Sequence, residues 1–295
     1  MSATGEAIER LARLLADSPT RPGLLCRAAL GRTSTDDDRL RERLVSRLLE
    51  DTRADGSVGG AALPTIWRVH ELLDLSVPGD DPGVRRVMGW VMGLQGRPGA
   101  FGEGCAEPRH QHRACEHWLA GFFSPAPPEQ RVAPITFPNG KVFRAEPAAR
   151  FAMSCLALRA AVRTGHQQAA AVQAHLIGLG RLESEWEKWG SYYTPDLVAS
   201  GLAGLAAASA PHAAAAHRVG AMIAAHQEPD GSWAQGDLFH MLESLTWADS
   251  GAARTALRRA APALIARQRP DGSFPGPARE ERALIALRAL LAAFS

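Results

Sequence analysis

Lysine is almost missing from this chain. Lys141 and Lys188 are the only two among its 33 Lys and Arg residues, so nearly all of its positive charge is guanidinium. With the abundance of alanine, that bias reads as a GC-rich coding history rather than as a function. The net charge is only +2, which supplies no field for nucleic acid or another polyanion. Tyrosine is equally scarce, at Tyr192 and Tyr193. The four cysteines, Cys26, Cys105, Cys115 and Cys155, contain no C-x-x-C pair, so a disulfide framework is not expected and a reducing cytoplasm is. The opening MSATGEAIERLARLLAD interrupts its apolar pattern with Glu6, Glu9 and Asp17, unlike the basic start and unbroken apolar core of a signal peptide. The longest charge-free apolar stretch, 197–216, is mostly Ala and Gly and contains Pro211 and His212, too weak for a membrane span.

What is present is the composition of a soluble globular protein. Hydrophobic residues are 46% and charged residues 22% of 295 positions, enough for one large or two ordinary domains with a substantial core. The informative feature is internal repetition. QEPDGSW (227–233) and QRPDGSF (268–274) are near copies, with ADGSV (54–58) and QGRPGAF (95–101) as further members. Aligned on one glycine they fall at Gly56, Gly99, Gly231 and Gly272, and two worn copies, at Gly140 and Gly190, fill the gap with a step near 42. Pro-Asp-Gly-Ser is turn chemistry: Pro presets φ, Asp bonds the backbone ahead and Gly accepts a positive φ.

Helical periodicity flanks each turn. Before the turns lie 39–50, 84–94, 170–185, 213–226 and 253–267; after them lie 63–75, 107–122, 147–162, 195–208, 237–247 and 279–294. The segment 124–138 is too rich in proline for a regular helix, and ITFPNGKVF (135–143) reads as a short hairpin around Asn139-Gly140. Six such helical hairpins, with no polar capping repeat, favour closure into a ring. The expected fold is all-α: one (α/α)6 barrel, or toroid, spanning 1–295.

The segments QEPDGSW, QRPDGSF and QGRPGAF resemble the Q-x-x-D/x-G-x-W/F repeat of the terpenoid cyclase and protein prenyltransferase superfamily, whose squalene–hopene cyclases are well-known bacterial members. The resemblance implies an (α/α)6 barrel with an apolar central pocket. It does not carry over the chemistry. The type II cyclase motif P-D-x-D-D-T-A, whose middle acid protonates an alkene or epoxide, has its nearest match at Pro195-Asp196-Leu197-Val198-Ala199, which keeps Pro-Asp and loses the next two acids. No D-D-x-x-D motif for a magnesium diphosphate is present; Asp36-Asp37-Asp38 reads as the acidic start of a helix.

Six residues after the repeat glycine stands an acid in three consecutive units: Glu146, Asp196 and Asp237. Such acids are either helix caps or carboxylates facing the pocket mouth, where partial burial raises a pKa toward neutrality. Trp67-x-x-His70-Glu71 and His240-x-x-Glu243 put polar groups at helical spacing on expected inner helices. They are exposed faces or a His/Glu acid–base set inside the ring, with Trp67 as apolar wall. Tyr192 and Tyr193 are turn-packing aromatics or donors to a substrate oxygen, and Trp118 is a further candidate wall residue. Cys105, His110, His112, Cys115 and His117 are rich in soft ligands but match no standard zinc spacing, so neither a metal nor another cofactor is expected.

The sequence thus points to a cytoplasmic enzyme that cyclises or isomerises a hydrophobic polyprenyl- or polyketide-type small molecule. Asp196, His240, Glu243, His70 and Glu71 are its candidate acids and bases, and Trp67, Trp118, Tyr192, Tyr193 and Asp237 its substrate contacts. A binding toroid for a lipid or a partner is the alternative of a different class, and a zinc-dependent prenyltransferase the third. The assembly is open between monomer and homodimer.

Overall fold

The computed structural model describes residues 2–94, 123, 125–126, 130–186, 194–210 and 212–294. The fold is all-α, and apart from isolated bridges its strands among these residues form one two-stranded hairpin. The helices are α1 (Ala3–Leu15), α2 (Arg21–Ala29), α3 (Thr35–Glu50), α4 (Ala62–Asp74), α5 (Pro82–Gly93), α6 (Glu146–Arg163), α7 (Ala170–Trp186), α8 (Pro195–Leu205), α9 (Ala213–Ala225), α10 (Leu238–Ala248), α11 (Gly251–Arg267) and α12 (Arg279–Phe294). Their starts follow local chemistry. Pro sits in the first turn of α2, α5, α6 and α8, where its missing N–H costs nothing. Ser2, Asp81, Asp237 and Ser250 cap α1, α5, α10 and α11 through their side chains. Asp37 closes a capping box with Ser34 and pairs with Arg27 at 2.7 Å, so the Asp36–Asp38 run is the start of α3.

Even-numbered helices form an inner layer and odd-numbered helices an outer one. α4 packs on α6, α6 on α8, α8 on α10, α10 on α12 and α12 on α2. α8 is buried along its whole length, whereas outer α3 buries only Asp37 and Leu40. Burial on every side explains why α6 and α8 show no polar face in sequence.

The repeated turns join neighbouring pairs. Asp55, Asp230 and Asp271 each accept the N–H and hydroxyl of the serine two residues on. Gln227 donates to the Gly231 carbonyl of its own turn and to the Ala256 carbonyl of α11, at 2.7 and 2.9 Å. Gln268 does the same to Gly272 and to Ala7 of α1, at 3.3 and 3.2 Å. The last turn therefore grips the first helix as the preceding turn grips α11, and the ring closes. Gly56, Gly231 and Gly272 have φ of 93°, 86° and 87°, and a Cβ on them would press into the carbonyls of Arg86, Arg259 and Arg10 on the next outer helix. Positive φ and backbone-to-backbone approach together require glycine.

The glycine ladder miscounts one pair. α1 and α2 are joined at Ser18–Thr20 without a glycine turn, yet they complete the ring. The turn at Gly99, the helix expected over 107–122 and the turn at Gly190 lie outside the described residues. The hairpin is present as read: β1 (Ile135–Thr136) pairs antiparallel with β2 (Val142–Phe143), and Asn139-Gly140 forms its tip, with φ of 86° at Gly140.

Candidate active site

Parallel inner helices bring one face of each to the ring axis. On α10 that face carries His240, Glu243 and Trp247, on α8 Ser200 and Ala203, on α6 Ala152 and Leu156, and on α4 Trp67. Together with Phe137 and Pro138 of the hairpin these residues line a narrow cavity whose wall is mostly apolar.

Asn139 organises the polar end of this cavity. Its buried carboxamide accepts the Lys141 N–H at 2.9 Å and donates to Glu243 Oε2 at 2.8 Å and to His240 Nδ1 at 3.2 Å. With both amide hydrogens committed, Nδ1 of His240 is the acceptor and its proton resides on Nε2. Nε2 lies 2.9 Å from Ser200 Oγ and 3.1 Å from the Asp196 carbonyl, and Ser200 Oγ donates to that carbonyl at 2.8 Å. His240 is therefore held neutral, its pKa pulled down chiefly by burial. The rings of Phe137 and Phe143 meet it edge-on at 5.9 and 5.6 Å. Arg282 locks Asn139 from behind, donating to its carbonyl at 3.0 Å while it also bonds the Pro275 carbonyl.

Glu243 is the chemically distinctive group. Burial in this apolar wall raises its pKa to about 8, with the Glu281 charge adding to the rise and Asn139 opposing it. It therefore keeps its proton at neutral pH. One oxygen is occupied by Asn139, and the side chain faces the cavity.

The other expected acids are placed differently. Asp196 is buried and does not line the cavity; one oxygen pairs with Lys141 and the other accepts the Asp237 N–H at 2.7 Å. Asp237 caps α10 through Phe239 N and His240 N, at 3.0 and 3.1 Å. Glu146 accepts Val132 N and Ala133 N and pairs with Arg150 at 2.8 Å. All three acids thus fasten helix starts, and two of them set the height of α8 and α10 beside the cavity.

His70 is 2% exposed and lies behind the wall, with its ring 5.7 Å from Trp67 and stacked 6.3 Å from Trp247. It is 3.1 Å from the Leu156 carbonyl and 3.2 Å from Arg163 Nη1, so Nε2 donates and Nδ1 accepts. Burial, then Arg163 and Arg159, depress its pKa to about 3. Below its ordinary 6.5 the unfolded chain takes up a proton that the folded chain refuses, so stability falls with pH from there toward 3. A His70→Gln variant is expected to show a flatter acid limb in urea midpoint against pH; an unchanged limb would mean that His70 is not held neutral. Glu71 pairs with Arg68 at 3.3 Å, and burial raises its pKa.

Tyr192, Tyr193, Trp118, Cys105, His110, His112, Cys115 and His117 lie outside the described residues. Among the described residues no group of three His, Cys, Asp or Glu side chains can hold a metal ion, and no helix is long and apolar enough to cross a membrane. Sequence reasoning missed Asn139, read only as a turn residue, and Ser200, Trp247 and Phe137. Lys141 carried a usable signal, being one of only two lysines, beside the hairpin tip.

No protein-family model matches the chain, and no curated protein matches it. Solved structures do share its fold. A protein from Actinoplanes superposes with a TM-score of 0.59 at 16% identity, over 99% of this chain and 100% of that one. The type II terpene cyclase MstE from Scytonema, as a variant complexed with its substrate geranylgeranyl dihydroxybenzoate, gives 0.59 at 13% identity, over 99% and 97%. Apo MstE gives 0.55 at 12% identity, over 99% and 98%. The chain therefore has a terpene-cyclase-like helical fold.

Proposed function

We propose that the chain is a terpene-cyclase-like enzyme that cyclises or isomerises a hydrophobic polyprenyl-type substrate, with Glu243 as its proton donor. The observation that carries this reading is a protonated carboxyl group held by Asn139 in the wall of a mostly apolar cavity between the inner helices. A buried acid that retains its proton at pH 7 is poised as a general acid. A high pKa also makes it a weak acid, so its natural acceptor is a polarised oxygen, an epoxide or a carbonyl, rather than an isolated alkene. Proton transfer to such an oxygen leaves the Glu243 carboxylate and an electron-poor carbon. A neighbouring double bond attacks that carbon as its bond to the protonated oxygen breaks, which leaves a carbocation; that cation gives up a proton to the Glu243 carboxylate, directly or through water, so the product is a neutral isomer and the acid is restored. Trp67, Trp247 and Phe137 line the space where positive charge develops, and aromatic faces attract cations. Asn139, His240 and Ser200 act as positioning residues: their closed network fixes Glu243 without supplying the proton. Asp196, bound to Lys141 and to α10, positions the helices on either side of the acid.

The fold likeness to a type II terpene cyclase supports the substrate class, and the absence of the P-D-x-D-D-T-A acids supports a different proton donor. The alternative is a toroid that binds a hydrophobic ligand without turning it over. It is favoured by one observation, that the acid of the matching Pro-Asp segment is consumed by Lys141 and Asp237 N. Incubation with farnesyl and geranylgeranyl epoxides, free and as aromatic conjugates, separates the two. The enzyme yields products of unchanged mass and altered retention; a binder returns every substrate intact while still retaining it on a sizing column.

A further inference from the structure

As it stands, the cavity has room for about one water molecule. A polyprenyl-type chain does not fit such a space, so part of the wall must move before substrate enters. Of the lining residues only Phe137 and Pro138 stand off the helices; the others belong to α4, α6, α8 and α10. Those helices pack on one another around the ring, and α8 is buried along its whole length. The hairpin that carries Phe137 and Pro138 is only two residue pairs long, too short to hold itself in place.

Its two ends are held differently. At the base, Glu146 of α6 accepts the N–H groups of Val132 and Ala133, and Arg150 one turn on donates to the carbonyls of Ala126 and Gln130 at 2.9 and 2.6 Å. These bonds tie the backbone beside the hairpin to one helix start. The tip is held by polar contacts from three other helices. Arg282 of α12 donates to the Asn139 carbonyl at 3.0 Å, Lys141 pairs with Asp196 of α8, and Asn139 donates to Glu243 and His240 of α10. Arg282 is itself fixed, its guanidinium 4.8 Å over the Phe239 ring and bonded to the Pro275 carbonyl. It lies so close across the tip that a Cβ on Gly140 would come 3.0 Å from its Nη2. Hydrogen bonds of this kind exchange for bonds to water at modest net cost, whereas parting packed helices forfeits their apolar contacts. Lifting the tip exposes the buried Phe137, which keeps the open form a minority until a ligand fills the space.

We propose that the hairpin 135–143 is a lid, hinged on α6 and latched by Arg282 and Lys141, which lifts Phe137 and Pro138 out of the cavity to admit the substrate and on closing seats Asn139 against Glu243. The inference concerns the regulation of the proposed active site and rests on that reading. Closure expels water and completes the clamp on the acid in one movement, because Asn139 belongs to both. Arg282 does not line the cavity; it is a positioning residue that acts through the Asn139 carbonyl.

Hydrogen exchange tests the lid without a ligand. The Phe137 and Gly140 amides bond within the hairpin, to the Lys141 and Phe137 carbonyls at 2.8 Å each, and a hairpin this short does not keep those bonds once lifted. In the wild type both amides are expected to exchange faster than that of Leu202 on buried α8, because the lid opens without the ring. Arg282→Met keeps the stem near Phe239 and removes the donors. It is expected to speed hairpin exchange ~10-fold or more, the worth of a hydrogen bond from a charged group, with no change at Leu202. Lys141→Met cuts the other latch and is expected to act likewise, which serves if the Arg282 variant does not fold. The association rate of phenylnaphthylamine, a neutral apolar fluorophore, should rise by the same factor as the exchange, since both follow the open fraction. Hairpin amides as slow as Leu202, or unmoved by both substitutions, overturn the lid. Faster exchange with an unchanged association rate also overturns it, since the probe then enters elsewhere, and leaves the cavity reading intact. Failure of the probe to bind wild type and variants overturns the cavity reading and the lid together.

Discussion

Glu243→Gln is expected to lower turnover of an accepted epoxide by roughly 10²–10⁴-fold, the usual worth of a general acid, while the fold survives. Gln is nearly isosteric and can still accept from Asn139, so the network that fixes position 243 persists. The pH dependence of stability adds a readout that a merely structural residue would not give. A carboxyl group whose folded pKa is raised keeps its proton while the unfolded chain loses its own. Between the ordinary 4.5 and about 8, stability therefore declines as pH rises. The glutamine variant lacks that decline. Its melting temperature should match the wild type near the bottom of the window and exceed it above the top. Normal turnover in the variant, or parallel stability profiles, would remove Glu243 from the chemistry.

The second large effect concerns the ring. Gly272→Val places a β-branched side chain at a φ of 87° and drives its Cβ into the Arg10 carbonyl of α1. The expected loss is on the order of 3 kcal/mol, from the strained backbone and the parted helices together. Gly231→Val, at a φ of 86° against the Arg259 carbonyl, should cost a similar amount. The equality is the informative result. In an open stack the final turn has no following helix to strike, so Gly272→Val would be the milder of the two. Gly89→Ala, with nothing within 4 Å of the added Cβ and a helical backbone, should be neutral or stabilising by about 0.5–1 kcal/mol. Denaturant midpoints of the three variants decide the matter.

The architecture was legible because it is written in local chemistry that repeats. The Pro-Asp-Gly-Ser turn at 229–232 recurs at 270–273 with the same Asx geometry and nearly the same glycine φ, so turn spacing and the apolar periodicity beside it located α3 to α12 within a few residues. α1 and α2 were not counted because Ser18–Thr20 joins them without that turn, and a ladder built on glycine has no mark there. In the site, periodicity put Trp67, His240 and Glu243 on inner faces, where the structure places them. Periodicity could not tell a lining residue from one a layer back. His70 follows Trp67 at helical spacing yet faces α6 and the arginines. Asp196 was singled out for its motif, but its environment depends on Lys141, 55 residues away across the ring. Asn139 escaped notice because the residue that suits a hairpin tip is also the residue that clamps the acid. A double role of that kind is fixed by tertiary contact, not by local pattern.

The account stands most directly on the proton of Glu243. Carbon-detected NMR of protein labelled at the glutamate side-chain carboxyl, followed from acid to alkaline pH, reads that proton without a substrate. The expected result is one carboxyl resonance that titrates near pH 8 and is absent from Glu243→Gln. A wild-type spectrum in which the Glu243 carboxyl is already ionised well below neutrality would contradict the proposed acid.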